Sequence, residues 1–196
     1  MSYTARDIRN VCFIGHGGDG KTALAESMLF YTKGTDRLGK SADGTTISDY
    51  DPEEIKRKYS ISTSIIPIEY GRSKINILDN PGYFDFAGEV MQSVRVVDSG
   101  VIVVSAKNGI GVGTEKSWKY LYERKLPKFV YISKLDEEHA DFFKTFEQLR
   151  EKFGKTLAPI VIPIVEDNKT IGIVDIIHKN AFLSGKGKTQ NIGVPD

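Results

Sequence analysis

Short apolar runs alternate with stretches of helical spacing along most of this chain. Val11-Cys12-Phe13-Ile14 reads as a buried strand. Ala23 to Phe30 reads as a helix, with Leu24 and Met28 on one face and Ala25 and Leu29 beside them. Ile61 to Tyr70 and Lys74 to Leu78 predict two strands joined at Gly71-Arg72-Ser73. Val101 to Val104 and Phe129 to Ile132 are continuous apolar runs, as expected of parallel strands covered on both faces. Thr114 to Lys125 sets Trp118, Leu121 and Tyr122 at helical spacing. Glu137 to Phe153 carries Phe142, Phe143, Phe146, Leu149 and Phe153, a stripe whose expected role is core packing. The alternation predicts an α/β fold with a mostly parallel central sheet flanked by helices.

Two regions break the rhythm. Lys33 to Lys58 is polar and mixed in charge, and a loop of that length in a compact domain is functional or mobile. From Ile160 the pattern becomes a strand to Val165, a turn at Asp167-Asn168-Lys169 and a second strand from Ile171 to Ile177, with no crossover helix. Ser184 to Asp196 is rich in Gly, Lys and polar residues and is expected to be loose.

With 196 residues, the chain can form one domain with a sizeable core and a small appendage. Its 40% hydrophobic and 27% charged residues are ordinary for a globular protein. A net charge of +1 gives the whole chain no bias towards nucleic acid or anionic membrane. The single cysteine, Cys12, cannot pair internally and is expected in the core. No apolar segment is long enough to span a bilayer and no signal-peptide core is present, so the expected compartment is the cytoplasm, with no membrane partner.

The chemistry begins at Gly15-His16-Gly17-Gly18-Asp19-Gly20-Lys21-Thr22, which fits G-x-x-x-x-G-K-[ST], the phosphate-binding loop (P-loop) of nucleotidases. It lies between a predicted strand and a predicted helix, as that motif requires. Glycines let the backbone N–H groups curl towards phosphate, and the N-terminus of the helix, from Ala23 on, adds a favourable dipole. Lys21 would reach the β- and γ-phosphates and Thr22 would ligate Mg²⁺.

Asp79-Asn80-Pro81-Gly82 follows an apolar strand, where a carboxylate can hold Mg²⁺ and a glycine N–H can approach a γ-phosphate. Ser133-Lys134-Leu135-Asp136 follows another. Asp136 can accept from guanine N1–H and the N2 amino group, a pair adenine lacks, while the Lys134 stem lies along the base. Each short motif alone is an ordinary turn or strand end. Their order, P-loop, D-x-P-G, [N/S]-K-x-D, points to a nucleotide switch selecting guanine.

These residues resemble the GTP-binding domain of translational GTPases, elongation factor G most closely, from about Arg9 to about Phe182. "DNPGYFDFAGEVMQSVRVVDSGVIVVSA" carries most of the likeness, and "GHGGDGKT" and "DNPGYFDF" look more like the elongation factor G-like paralogues. The resemblance implies a three-layer P-loop NTPase fold, with a GTPase core over 1–158 and the start of a small inserted subdomain over 159–196. It implies GTP/GDP and Mg²⁺ as ligands, the ribosome as partner, a monomer, and two switch segments ordered by GTP. It also implies that the chain is a piece of a longer factor, since the fifth guanine-loop motif, S-A-x, is expected beyond the insert. Ser105-Ala106-Lys107 matches that motif by letters but precedes Asp136, the wrong order.

Residue by residue, the resemblance assigns nucleotide binding to His16, Gly17, Gly18, Asp19, Gly20, Lys21, Thr22 and Ala23, with Asp79, Ser133, Lys134 and Asp136. Metal binding falls to Thr22, Asp79 and Ser60, the last standing where the family's R-G-I-T-I pattern has threonine. Catalysis falls to Lys21, Gly82 and Tyr83. Three departures carry consequences. Tyr83 replaces the family's water-positioning histidine; a phenol is a poor base, so intrinsic hydrolysis is expected to be slow or absent. Ser133 replaces asparagine and is expected to lose part of that amide's bonding to base and P-loop. Asp19 stands one position after the family's P-loop aspartate, where its charge either repels phosphate or binds a cation. His16 is expected to act through its backbone, and His139 and His178 to lie at the surface. Two other classes stay open: a guanine-nucleotide sensor with little hydrolysis, favoured by Tyr83, and a P-loop kinase or ATPase, disfavoured by the order of the motifs.

Overall fold

In the computed structural model, which describes residues 3–167, 169–185 and 188–191, the chain separates into two compact units. The first comprises Met1–Val104 and Ile110–Ser133, and the second Ser105–Gly109 and Lys134–Asp196.

The first unit is built on strands β1 (Ile8–Gly15), β2 (Ser64–Tyr70), β3 (Ser73–Asp79), β4 (Ser99–Ser105) and β5 (Lys128–Ser133). They form one sheet in the order β2-β3-β1-β4-β5, with β1 parallel to β3 and β4, and β2 antiparallel to β3. Helix α1 (Lys21–Tyr31) packs on one face of this sheet. There Phe13, Ala25, Leu29, Ile66, Ile68 and Ile77 form a buried cluster. Side chains alternate across a strand, so Cys12 and Ile14 point to the other face, where helices α3 (Ala87–Val96) and α4 (Val112–Glu123) pack. Cys12 is fully buried and its thiol is pushed up to about 12 by desolvation, consistent with a core residue. The mostly parallel sheet flanked by helices follows the sequence reading. Strand order reverses at β1, the point where open α/β sheets open a crevice beyond the carboxyl ends of their strands.

The polar stretch 33–58 is folded rather than open loop. It contains a turn of 3-10 helix (Ser41–Asp43) and helix α2 (Pro52–Arg57). Asp51 caps α2, accepting from Glu53 N at 2.8 Å, and Pro52 begins it. Glu54, 2% exposed, accepts from Asp51 N at 3.3 Å and reaches forward to Ile61 N at 2.8 Å and Ser62 N at 3.0 Å. One buried carboxylate therefore satisfies three backbone donors. Replacing Glu54 with alanine is expected to lower the unfolding free energy by about 2–4 kcal/mol, measured by urea unfolding.

The second unit contains α5 (Phe142–Phe153) and an antiparallel sheet of β6 (Val161–Glu166), β7 (Lys169–Asp175), β8 (Asn180–Gly185) and β9 (Lys188–Asn191), paired in that order. Asn168 of the predicted turn lies outside the described residues. So do residues 186, 187 and 192–196 of the tail expected to be loose; the rest of that tail is strand, because Ser184 and Gly185 pair with Thr189 and Lys188. Two aromatic stripes are less buried than expected. On α5 only Thr145 and Leu149 are buried and Phe143 is half exposed. On α4, Tyr122 faces outward and Lys128 Nζ lies 5.1 Å from the Trp118 ring centroid. Among the described residues no helix is long and apolar enough to cross a membrane.

Candidate functional site

In the first unit, the loop from Gly15 to Gly20 leaves β1 and enters α1 through left-handed turns at Gly18 (φ +80°) and Gly20 (φ +91°), conformations that glycine adopts without a steric penalty. No side chain caps the N-terminus of α1 and no acid sits in its first turn, so the helix dipole there favours an anion.

Lys21 is 6% exposed, and its Nζ donates to the carbonyls of His16 at 2.8 Å and Gly15 at 3.3 Å. Burial pulls its ammonium below the ordinary lysine range, against the carboxylates of Asp79 and Asp19, which hold it up. Asp19 is buried beside the lysine. His16 contributes its carbonyl, as expected, and its buried Nδ1 has no hydrogen-bond partner.

Beside the loop, Thr22 Oγ1 donates to Asp79 Oδ2 at 2.7 Å, and Ser60 Oγ donates to Asp49 Oδ1 at 2.7 Å. The two hydroxyl oxygens lie 3.2 Å apart. Asp79 is 1% exposed, its Oδ1 has no partner, and burial raises its carboxyl to about 7 against the pull of Thr22 and Lys21. Burial also raises Asp49, with Glu54 and Glu26 adding to the effect and the Ser60 hydroxyl opposing it. Thus Thr22, Ser60 and Asp79, named from the sequence, come together, and Asp49 joins them.

The segment after β3 lies on the loop. Asn80 is fully buried; its amide donates to Leu78 O at 2.9 Å and Phe13 O at 3.2 Å, and its carbonyl accepts from Ser93 and Thr63 hydroxyls. This network fixes the path into Gly82. A Cβ on Gly82 would stand 2.7 Å from both Cα and N of Gly17 and 2.5 Å from Lys21 Nζ, so only glycine allows the approach. Tyr83 follows directly, half exposed.

Ser133 is 8% exposed and donates to the Asp19 carbonyl at 2.7 Å, with the Val104 carbonyl at 3.2 Å. Ser133 thus makes one tie to the P-loop through its hydroxyl.

In the second unit, Lys134 takes a left-handed backbone (φ +59°) and pairs with Glu137 at 2.9 Å. Lys134 and Lys107 hold the Glu137 carboxyl below its usual range. Asp136 lines a cleft of about 960 Å³ within this unit, together with Ala106, Asn108, Lys144 and Gln148. His139 and His178 are exposed, and no group of three or more His, Cys, Asp or Glu side chains placed to hold a metal occurs among the described residues.

Four residues were missed from sequence: Asp49, Glu54, Asn80 and Glu26. Glu26 is fully buried on α1 and accepts from Ile47 N at 2.6 Å and Ser48 N at 3.3 Å, anchoring the 33–58 segment. Asp51-Pro52-Glu53-Glu54 carried a legible helix start; nothing local marked Glu26, whose partners are distant in sequence.

A glycine loop joining a parallel strand to a helix at the reversal of strand order, with a carboxylate at the end of the neighbouring strand, defines a P-loop nucleotide-binding domain. The family model for the elongation factor Tu GTP binding domain matches residues 6–191, and the chain belongs to this family of translational GTPase domains. It is 37% identical over 170 residues to elongation factor G 2 of Borreliella afzelii (strain PKo), covering 87% of this chain and 25% of that protein. It is 36% identical over 183 residues to the mitochondrial ribosome-releasing factor 2 of Candida albicans (strain SC5314), covering 91% of this chain and 23% of that protein. A crystal structure of a protein from Thermus thermophilus superimposes with a TM-score of 0.90 at 35% identity, covering 96% of this chain and 28% of that one. The chain spans about a quarter of the length of the curated relatives it matches.

Proposed function

We propose that this chain binds GTP with Mg²⁺ and hydrolyses it to GDP and phosphate, as the conformational switch of a ribosome-associated translation factor. The observation that carries the reading is the convergence of Lys21, Thr22, Ser60, Asp79 and Gly82 on one P-loop. Residues 1–158 are read as the GTPase core and 159–196 as the start of an inserted subdomain.

The oxygen donors fit Mg²⁺. Octahedral coordination at about 2.0–2.1 Å sets neighbouring ligands about 2.9 Å apart, close to the 3.2 Å between the Thr22 and Ser60 hydroxyls. Both hydroxyl protons are taken by carboxylates, which leaves lone pairs free, and the buried Asp79 carboxylate would offer a further oxygen to a cation. When bound, Mg²⁺ neutralises charge on the β- and γ-phosphate oxygens.

The chain's own groups then have distinct tasks. Lys21 is held by two carbonyls for transfer of its N–H bonds to phosphate oxygens. The Gly82 N–H senses the γ-phosphate. The Tyr83 hydroxyl orients water but is a weak base, so the chemical step relies on positioning, and an activating group supplied by the ribosome accounts for fast turnover. Lys134 and Asp136 read the base.

Single-turnover hydrolysis at saturating GTP tests this. Tyr83→Phe is expected to slow phosphate release about tenfold or more while GDP affinity stays within twofold. Tight GTP binding without measurable phosphate release, with or without ribosomes, would instead favour the nucleotide-sensor reading that Tyr83 motivates.

A further inference from the structure

The Tyr83 ring lies against the P-loop at Gly17. A Cβ on Gly17 would stand 3.3 Å from both Cε1 and Cζ of that ring and 3.5 Å from Cδ1, tighter than side chains normally pack. Gly17 has no left-handed backbone angle, so its lack of a side chain is not needed for the turn. The steric demand on it comes from Tyr83.

Tyr83 also packs against Tyr59, with ring centroids 4.7 Å apart and planes inclined at 60°. That is a favourable tilted aromatic pair. Tyr59 is anchored in turn: Arg57 Nη1 donates to its hydroxyl at 3.2 Å, and Arg57 Nε donates to Glu53 Oε2 on α2 at 3.0 Å. In sequence, Tyr59 precedes Ser60 and Tyr83 follows Gly82. The ring pair therefore joins the segment carrying the candidate metal ligand to the segment carrying the candidate γ-phosphate sensor.

We propose that Gly17, Tyr59 and Tyr83 form one aromatic lock, in which Tyr59 is the positioning residue that seats Tyr83 on the bare backbone of Gly17. The lock ties the two switch segments to each other and to the P-loop. Its functional meaning rests on reading Ser60 and Gly82 as nucleotide-responsive. The contact itself is tested without nucleotide, so a failure of the GTP reading and a failure of the lock are separate results.

Trypsin supplies the test, because Lys56, Arg57 and Lys58 immediately precede Tyr59. Cleavage there reports local opening of the first segment, and Arg124 and Lys125 at the end of α4 serve as an internal reference. The account expects Tyr83→Ala to speed cleavage at 56–58 about threefold to tenfold with the reference rate unchanged, and Tyr83→Phe, which keeps the ring, to cleave at the wild-type rate. Gly17→Val is expected to produce the same acceleration in the wild-type background and to add nothing on top of Tyr83→Ala. An unchanged rate in Tyr83→Ala overturns the proposal. So does a parallel rise at the reference sites, or a Gly17→Val effect that persists in full once Tyr83 is gone.

Discussion

Replacing Lys21 with methionine is expected to lower affinity for GTP about a thousandfold or more, measured by calorimetric titration in Mg²⁺. The ammonium is buried and is held by two P-loop carbonyls. Burial disfavours its charge, so phosphate oxygens relieve a cost the free protein already carries. Two charge-assisted bonds to phosphate, each contributing about 1.5–3 kcal/mol, correspond to a loss on the order of a thousandfold. Methionine keeps the length and the apolar stem, which separates loss of charge from loss of packing. GDP, with fewer phosphate oxygens to pair, is expected to lose less than GTP. Affinity for GTP within tenfold of wild type would remove Lys21 from the phosphate site.

Replacing Asp136 with asparagine is expected to lower GTP affinity about a hundredfold to a thousandfold and to bring xanthosine triphosphate into the binding range. A carboxylate accepts from both guanine N1–H and the N2 amino group. Asparagine keeps one acceptor and sets a donor against a donor, leaving groups unpaired at about 1–3 kcal/mol each. Xanthine carries a carbonyl in place of the N2 amino group, so asparagine pairs with it. Competition of both nucleotides against a fluorescent GTP analogue measures the exchange. Equal loss for both bases would mean that Asp136 supports the fold of its cleft rather than reads the base.

Hydrophobic runs located β1, β3, β4 and β5 within a few residues of their observed ends; β4 is buried as a parallel strand covered on both faces should be, whereas the expectation of the same cover for β5 fails, because β5 is the edge strand and Phe129 and Tyr131 are about half exposed. The P-loop was legible because its chemistry is local, a few consecutive residues whose backbone does the work. Burial of polar groups was not legible. Asp49, Glu54 and Glu26 look like solvated charges in a mixed stretch, yet each is buried against residues between 7 and 22 positions away. Ser133 shows the same limit: comparison with asparagine named what a shorter side chain gives up, and did not show the bond its hydroxyl makes to the Asp19 carbonyl at 2.7 Å. The aromatics of α5 point to the reverse error, since helical spacing of Phe143 and its neighbours indicates a face without stating what covers it.

The central claim is guanine-selective binding by the P-loop and Asp136. It is tested most directly by titrating the chain in parallel with GTP and ATP in Mg²⁺. The account predicts saturable GTP binding at least about a hundredfold tighter than ATP binding. ATP bound as tightly as GTP would contradict the assignment of the base-reading residues, and no binding of either nucleotide would contradict the assignment of the site.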